Sequence, residues 1–143
     1  MKNFFIKDII DYKKRGDKFS TITAYDYLSA KLVSGAGVPL VLVGDSASMV
    51  VFGYRDTTPI SMNEMVFILR AVVRGSSGPV IVADMPFMSY QPSIEEAIKN
   101  AGTFIKEGAN AVKVEGADSS TIIKIKHFVS SGIPVCLIYT SPR

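Results

Sequence analysis

Three short apolar runs of this 143-residue chain end on a carboxylate: VPLVLVGDS at Asp45, GPVIVADMPF at Asp84 and NAVKVEG at Glu115. A lone buried carboxylate is costly, and several at one strand end repel unless a cation or protons compensate. If the three runs are neighbouring parallel strands, their acids meet at one end of a sheet, and a hard metal ion is the first chemistry they suggest. Lys113 stands two residues before Glu115, on the same face of an extended strand. It can act as a structural counter-ion, or it can stabilise a developing oxyanion. A single acid after a strand is commonly the N-cap of the next helix, and Asp45 with Ser46 could serve that way. Three acids with an inward lysine exceed what capping asks for. Because a buried ion pair is a weak source of stability, function is the better account of Lys113.

The elements that would position these groups alternate strictly. FFIKDIIDYKKRG is an amphipathic helix with Phe5, Ile9 and Tyr12 on one stripe, stopping at Gly16. FSTITA is a strand, a helix runs from near Asp26 to the Gly35–Gly37 break, and VPLVLVG is a strand. The polar stretch Ser46–Pro59 is too long for a tight turn and reads as a functional loop. Ser61 and Glu64 form a capping box for MVFILRAVVRG, and Ser93 and Glu96 form another for the helix after PVIVAD. The GSSG at Gly75–Gly78 has no phosphate-loop lysine and reads as a helix-to-strand turn. AVKVEG, the helix SSTIIKIKHFVSSG and the strand IPVCLIYT follow. Five strands and five helices in alternation predict right-handed βαβ units around a parallel sheet. Within AVKVEG, Val112 and Val114 take one face and Lys113 and Glu115 the other, the interior of a barrel or a ligand crevice. Asp45 follows Val41 and Val43 at the same two-residue step, and Asp84 follows Val80 and Val82. In α/β barrels the C-terminal strand ends carry the chemistry.

Composition excludes several classes. The net charge of +3 comes from Lys and Arg spread along the chain, which reads as solvated helix faces and not as a nucleic-acid surface. One cysteine, Cys136, rules out an intramolecular disulfide, and its run IPVCLIY predicts a buried structural thiol. His127, with no second histidine, reads as a helix-surface residue and not a zinc ligand. No run approaches the roughly 18 apolar residues of a membrane span. Lys7 and Asp8 interrupt FFIKDII too early for a signal peptide. A cytoplasmic, soluble protein with no membrane partner is expected.

The segments TITAYD, VGDSASMVVFGYRDTTPIS, VADMPFMSY, NAG and VKVEGA resemble the ketopantoate hydroxymethyltransferases, in register from about Ile6 to about Val135. The resemblance implies a (β/α)8 TIM barrel, of which about five β/α units are present, so that residues 1–143 read as one domain, the N-terminal part of the barrel. It implies Mg2+ and 5,10-methylenetetrahydrofolate as co-substrate, with 3-methyl-2-oxobutanoate as acceptor and 2-dehydropantoate as product. Carried over by position, Asp45, Asp84 and Glu115 surround the metal, and Asp45, Ser46, Asp84 and Lys113 contact the oxo acid. The family's general base is a glutamate beyond Arg143, so no catalytic residue is assigned in this chain. The family also implies a homo-oligomer.

Two departures stand out. After IPVC the family continues with a Gly-His-Ile-Gly-Leu-Thr-Pro-Gln type of segment where this chain reads LIYTSPR, and members often carry histidine near Ile68. A C-terminally truncated member is therefore expected, with an open strand edge and an exposed apolar inner face that predict poor solubility or obligate association for this chain alone. Another metal-dependent 2-oxo-acid barrel enzyme of the isocitrate-lyase or phosphoenolpyruvate-mutase kind, or a non-catalytic remnant, are the alternatives.

Overall fold

Side-chain caps set the helix starts. Asp26 accepts the Ser29 N–H at 2.8 Å and starts α2 (Tyr27–Gly35), and Ser61 and Glu64 exchange the reciprocal bonds of a capping box before α4 (Met62–Gly75). Ser93 accepts the Glu96 N–H ahead of α5 (Ile94–Lys106), and no return bond from the Glu96 side chain accompanies it, so the expected second box is one-sided. Asp118 caps α6 (Ser119–Ser130), and Gly16, in the left-handed region, closes α1 (Ile6–Arg15). This computed structural model describes residues 2–138, so the last two residues expected in the IPVCLIYT strand lie outside the described residues. The loop expected over Ser46–Pro59 contains one turn of helix, α3 (Ala47–Val50), that the sequence reading did not anticipate.

The strands are β1 (Thr21–Thr23), β2 (Leu40–Val43), β3 (Val80–Asp84), β4 (Ala111–Glu115) and β5 (Val135–Ile138). They form a single five-stranded sheet in the order β1-β2-β3-β4-β5, and every pair is parallel. Strand order that follows chain order, without reversal, marks a singly wound, barrel-type α/β sheet and not a doubly wound one.

Alternation along the strands builds two layers. Val41, Val43, Ile81, Ala83, Val112 and Val114 point outward and pack with Ala30 of α2, Leu69 and Val72 of α4, Phe104 of α5 and Phe128 of α6. The opposite face carries Leu40, Val80, Val82 and Ala111, covered by Phe4, Ile6, Ile9 and Phe19. Helix α1 thus lies across the N-terminal half of the inner face and leaves a concavity of 660 Å³ toward β5. Cys136 lines that concavity and is exposed, which corrects the expectation of a buried thiol. The reason is positional: β5 is the last described strand, and its inner side lies beyond the cover of α1.

Helices α2 and α4 cross closely at Gly75, where a Cβ would overlap the Tyr27 carbonyl oxygen and touch Ala30 Cβ at 3.0 Å. Both obstacles are fixed, one of them backbone. Gly75→Ala is expected to lower stability by about 1–3 kcal/mol, the usual penalty of overpacking. Urea denaturation checks this, and a loss below a few tenths of a kcal/mol would show that the crossing has slack.

Candidate functional site

Asp84, Lys113 and Glu115 all face inward from β3 and β4, above the apolar layer of Val80, Val82 and Ala111. β3 pairs Asp84 directly with Lys113. The Lys113 Nζ stands 2.8 Å from Asp84 Oδ1 and 2.8 Å from Glu115 Oε1, so one ammonium bridges two carboxylates. Asp84 and Lys113 are buried, at 4% and 7% exposure. The Asp84 Oδ1 contact is an ion pair without hydrogen-bond alignment, which leaves that buried oxygen without a hydrogen-bond partner among the described residues.

Asp45 reaches the same place by another route. It lies past the end of β2, in the turn toward α3, and its backbone N–H donates to Asp84 Oδ2 at 3.1 Å. Asp45 is itself 8% exposed. Ser46 lies one residue on, and its Oγ is 2.8 Å from the Tyr25 hydroxyl, while no side-chain cap bond to α3 forms. Ser46 stands at the N-cap of α3 but turns its hydroxyl to Tyr25 instead of to the helix. Gly44 makes this convergence sterically feasible, since a Cβ there would sit 2.8 Å from Ser46 Oγ and 3.5 Å from Asp84 Oδ2.

Burial pushes the Asp84 carboxyl up, the Lys113 ammonium pulls it back, and neighbouring Asp45 pushes it up again, for a result of about 6. Lys113 is also raised: burial opposes its charge, but Asp84 and Glu115 together outweigh burial. A simple ion pair would lower the acid. Here the acid is the more deeply buried partner, shares its cation with Glu115 and lies against a second aspartate, so desolvation wins. An acid held this high is balanced by a proton or by positive charge beyond that of Lys113.

Of the five residues singled out in the sequence, Asp84 and Glu115 end β3 and β4, Asp45 and Ser46 lie just past β2, and Lys113 stands two residues before the end of β4. Among the described residues, no three His, Cys, Asp or Glu side chains are grouped as a ready metal cage. The geometry offers the adjacent Asp45 and Asp84, with Glu115 on the far side of Lys113. Mg2+ suits such a donor set, being content with one or two carboxylates, substrate oxygens and several waters. Two tyrosines complete the site. Tyr25, unassigned in the sequence reading, holds Ser46, and Tyr90, not singled out there, bonds the backbone of Glu115. Both lie a few residues past strand ends, and both fall in the segments TITAYD and VADMPFMSY that carry the family resemblance, which are the signals that point to them.

Residues 3–137 match the family model described as ketopantoate hydroxymethyltransferase. A curated relative, the 3-methyl-2-oxobutanoate hydroxymethyltransferase of Syntrophus aciditrophicus, is 52% identical over 124 residues, covering 86% of this chain and 45% of its own length. The chain spans about half the length of the curated relatives it matches. Solved structures share the fold at low identity. A phosphonopyruvate hydrolase superposes with a TM-score of 0.73 at 17% identity, over 87% of this chain and 48% of that one. A 2,3-dimethylmalate lyase of the PEP mutase/isocitrate lyase superfamily gives 0.67 at 18%, over 93% and 51%. A phosphonopyruvate hydrolase complex with oxalate and Mg2+ gives 0.64 at 12%, over 96% and 64%.

Proposed function

Because this chain belongs to the ketopantoate hydroxymethyltransferase family, we propose that its strand ends form the metal and oxo-acid side of a site that hydroxymethylates 3-methyl-2-oxobutanoate to 2-dehydropantoate. The one-carbon donor is 5,10-methylenetetrahydrofolate. The observation that carries the reading is the buried Asp84, raised to about 6 between Lys113 and Asp45 at the mouth of a barrel-type sheet.

Asp45, Asp84 and Glu115 are the proposed holders of Mg2+, directly or through the waters that this ion retains. Magnesium, when bound, supplies Lewis-acid polarisation of the keto group. The chain's own residues do the rest. The Ser46 hydroxyl, steadied by Tyr25, donates to the substrate carboxylate. The Lys113 ammonium lies beside the keto oxygen, where negative charge builds as the adjacent carbon loses its proton, and a fixed cation in a buried site favours that change strongly. Apolar Val82 and Ala111 floor the site and keep water from the reacting carbon. No residue of this chain is assigned the role of base. The proposal places the protein in a cytoplasm, as a homo-oligomer. Among the described residues no helix is long and apolar enough to cross a membrane. Exposed Leu28 and Leu32 of α2 and Phe67 of α4 support association.

Calorimetric titration of the chain with 3-methyl-2-oxobutanoate tests the reading. Binding is expected with Mg2+ and lost with EDTA or in Asp84→Asn, and mass detection of 2-dehydropantoate after adding the folate tests transfer itself. Oxo-acid binding that ignores both the metal and Asp84 would overturn the assignment.

A further inference from the structure

The β3–β4 register ends with Asp84 opposite Lys113, two residues before Glu115. In a parallel sheet, alternate residues of a strand turn both backbone groups toward the same neighbour. The Val112 N–H donates to the Pro134 carbonyl and the Gly116 N–H to the Ile138 carbonyl, so the even-numbered residues of β4 serve the β5 side. The Met85 N–H donates to the Lys113 carbonyl at 2.9 Å, so the odd-numbered residues serve β3. Glu115 is the next odd-numbered residue, and β3 has already ended at Asp84.

Tyr90 fills that place. Its hydroxyl donates to the Glu115 carbonyl at 3.1 Å and accepts the Glu115 N–H at 3.4 Å, using one side-chain oxygen for both backbone groups. The tyrosine is 3% exposed, and the loop that carries it is braced from within: Ser89 Oγ donates to the Pro86 carbonyl at 2.7 Å, and Asn100 Nδ2 of α5 donates to the Ser89 carbonyl at 2.7 Å. This loop leaves β3 immediately after Asp84. Tyr90 therefore ties the chain that carries one site acid to the backbone of another.

We propose that Tyr90 is a positioning residue: its hydroxyl replaces the next residue of β3 as ladder partner and, through the Glu115 backbone, keeps the Glu115 carboxylate aimed at Lys113 and the metal site. The proposal rests on the metal reading above. Groups that orient metal ligands from outside typically change affinity by about 10–100-fold when removed.

The test uses the full chain and three variants. Tyr90→Phe keeps the buried ring and removes only the oxygen. Asn100→Ala loosens the loop without touching Glu115. Phe128→Leu weakens the outer core away from the site. By amide hydrogen exchange, the Glu115 amide of Tyr90→Phe is expected to exchange about tenfold or more faster relative to the Gly116 amide, whose bond is to β5. Mn2+ binding, measured by electron paramagnetic resonance, is expected to weaken about tenfold or more in Tyr90→Phe, to weaken less in Asn100→Ala, and to stay unchanged in Phe128→Leu. A folded Tyr90→Phe with the wild-type exchange ratio, or with wild-type Mn2+ affinity, overturns the proposal, as does an equal loss of affinity in Phe128→Leu. Should Tyr90→Phe fail to fold, Asn100→Ala decides, and an unchanged Glu115 ratio there is the negative result. Should the wild-type chain bind no Mn2+, the metal reading fails on its own and the Glu115 exchange ratio still decides for or against Tyr90.

Discussion

Lys113→Met is expected to destabilise the metal-free chain by about 3–5 kcal/mol at pH 7.5, the largest stability change of any single substitution considered for this site. The magnitude follows from what remains. Removing both members of a buried pair can be neutral, but removing one leaves the other charged without compensation. Here the ammonium bridges two acids at 2.8 Å each, and Asp45 adds a third negative charge against Asp84. Methionine fills much the same volume, so packing contributes little to the loss. The sign with pH is also determined. Without Lys113 the pull that lowers the Asp84 carboxyl disappears, and its value in the folded state rises above about 6. Acidification then relieves the variant by protonating Asp84, so the penalty shrinks as pH falls toward 5. Urea denaturation in EDTA at pH 7.5 and pH 5 provides the check. A penalty under 1 kcal/mol, or the same penalty at both pH values, would mean that the carboxylates are better solvated than their burial indicates.

The positions of these charged residues were legible in the sequence because strand ends are read from short-range pattern. Val80, Val82 and Asp84 alternate onto one face whatever the rest of the chain does, and so do Ala111, Lys113 and Glu115. Which groups touch was not legible. The bonds of the Asp45 N–H to Asp84 and of the Tyr90 hydroxyl to Glu115 span 39 and 25 residues, and no local rule distinguishes Tyr90 from a core aromatic. Asp45 shows the limit of period-two reasoning: it keeps step with the outward Val41 and Val43, yet β2 ends at Val43 and the turn carries Asp45 back to Asp84. Lys113 could be expected to face the acids, but its position between Asp84 and Glu115 depends on the lateral register of β3 and β4. Cys136 is exposed for a related reason, because an apolar run predicts burial only where another element covers the strand. The cover on the inner face comes from α1, and how far α1 reaches across the sheet is a tertiary fact.

Asp84→Asn is expected to remove the fall in stability with rising pH that Asp84 imposes on the metal-free chain between 3.8 and about 6. In the wild type the Asp84 carboxyl titrates near 6 when folded, against an ordinary value of 3.8. Below 3.8 both folded and unfolded states hold the proton and Asp84 favours neither. Between 3.8 and about 6 the folded state keeps a proton that the unfolded state releases, so stability falls as pH rises and levels off above about 6. At 1.36 kcal/mol per unit, a shift of this size removes about 3 kcal/mol across the window. The slope is more diagnostic than the absolute stability of the variant. Asparagine sets its single NH2 against either the Asp45 N–H at Oδ2 or the Lys113 ammonium at Oδ1, and that mismatch carries a penalty of its own. Magnesium supplies the opposing half of the linkage. An ion that takes the carboxylate form competes with the proton, so added Mg2+ should stabilise the wild type more at pH 7 than at pH 5, and Asp84→Asn should lose that difference. Thermal melts across pH 4–7.5, with EDTA and with Mg2+, measure both effects. A wild-type slope that survives Asp84→Asn would assign the titration to another group, and a magnesium effect independent of pH would remove Asp84 from the metal's ligands.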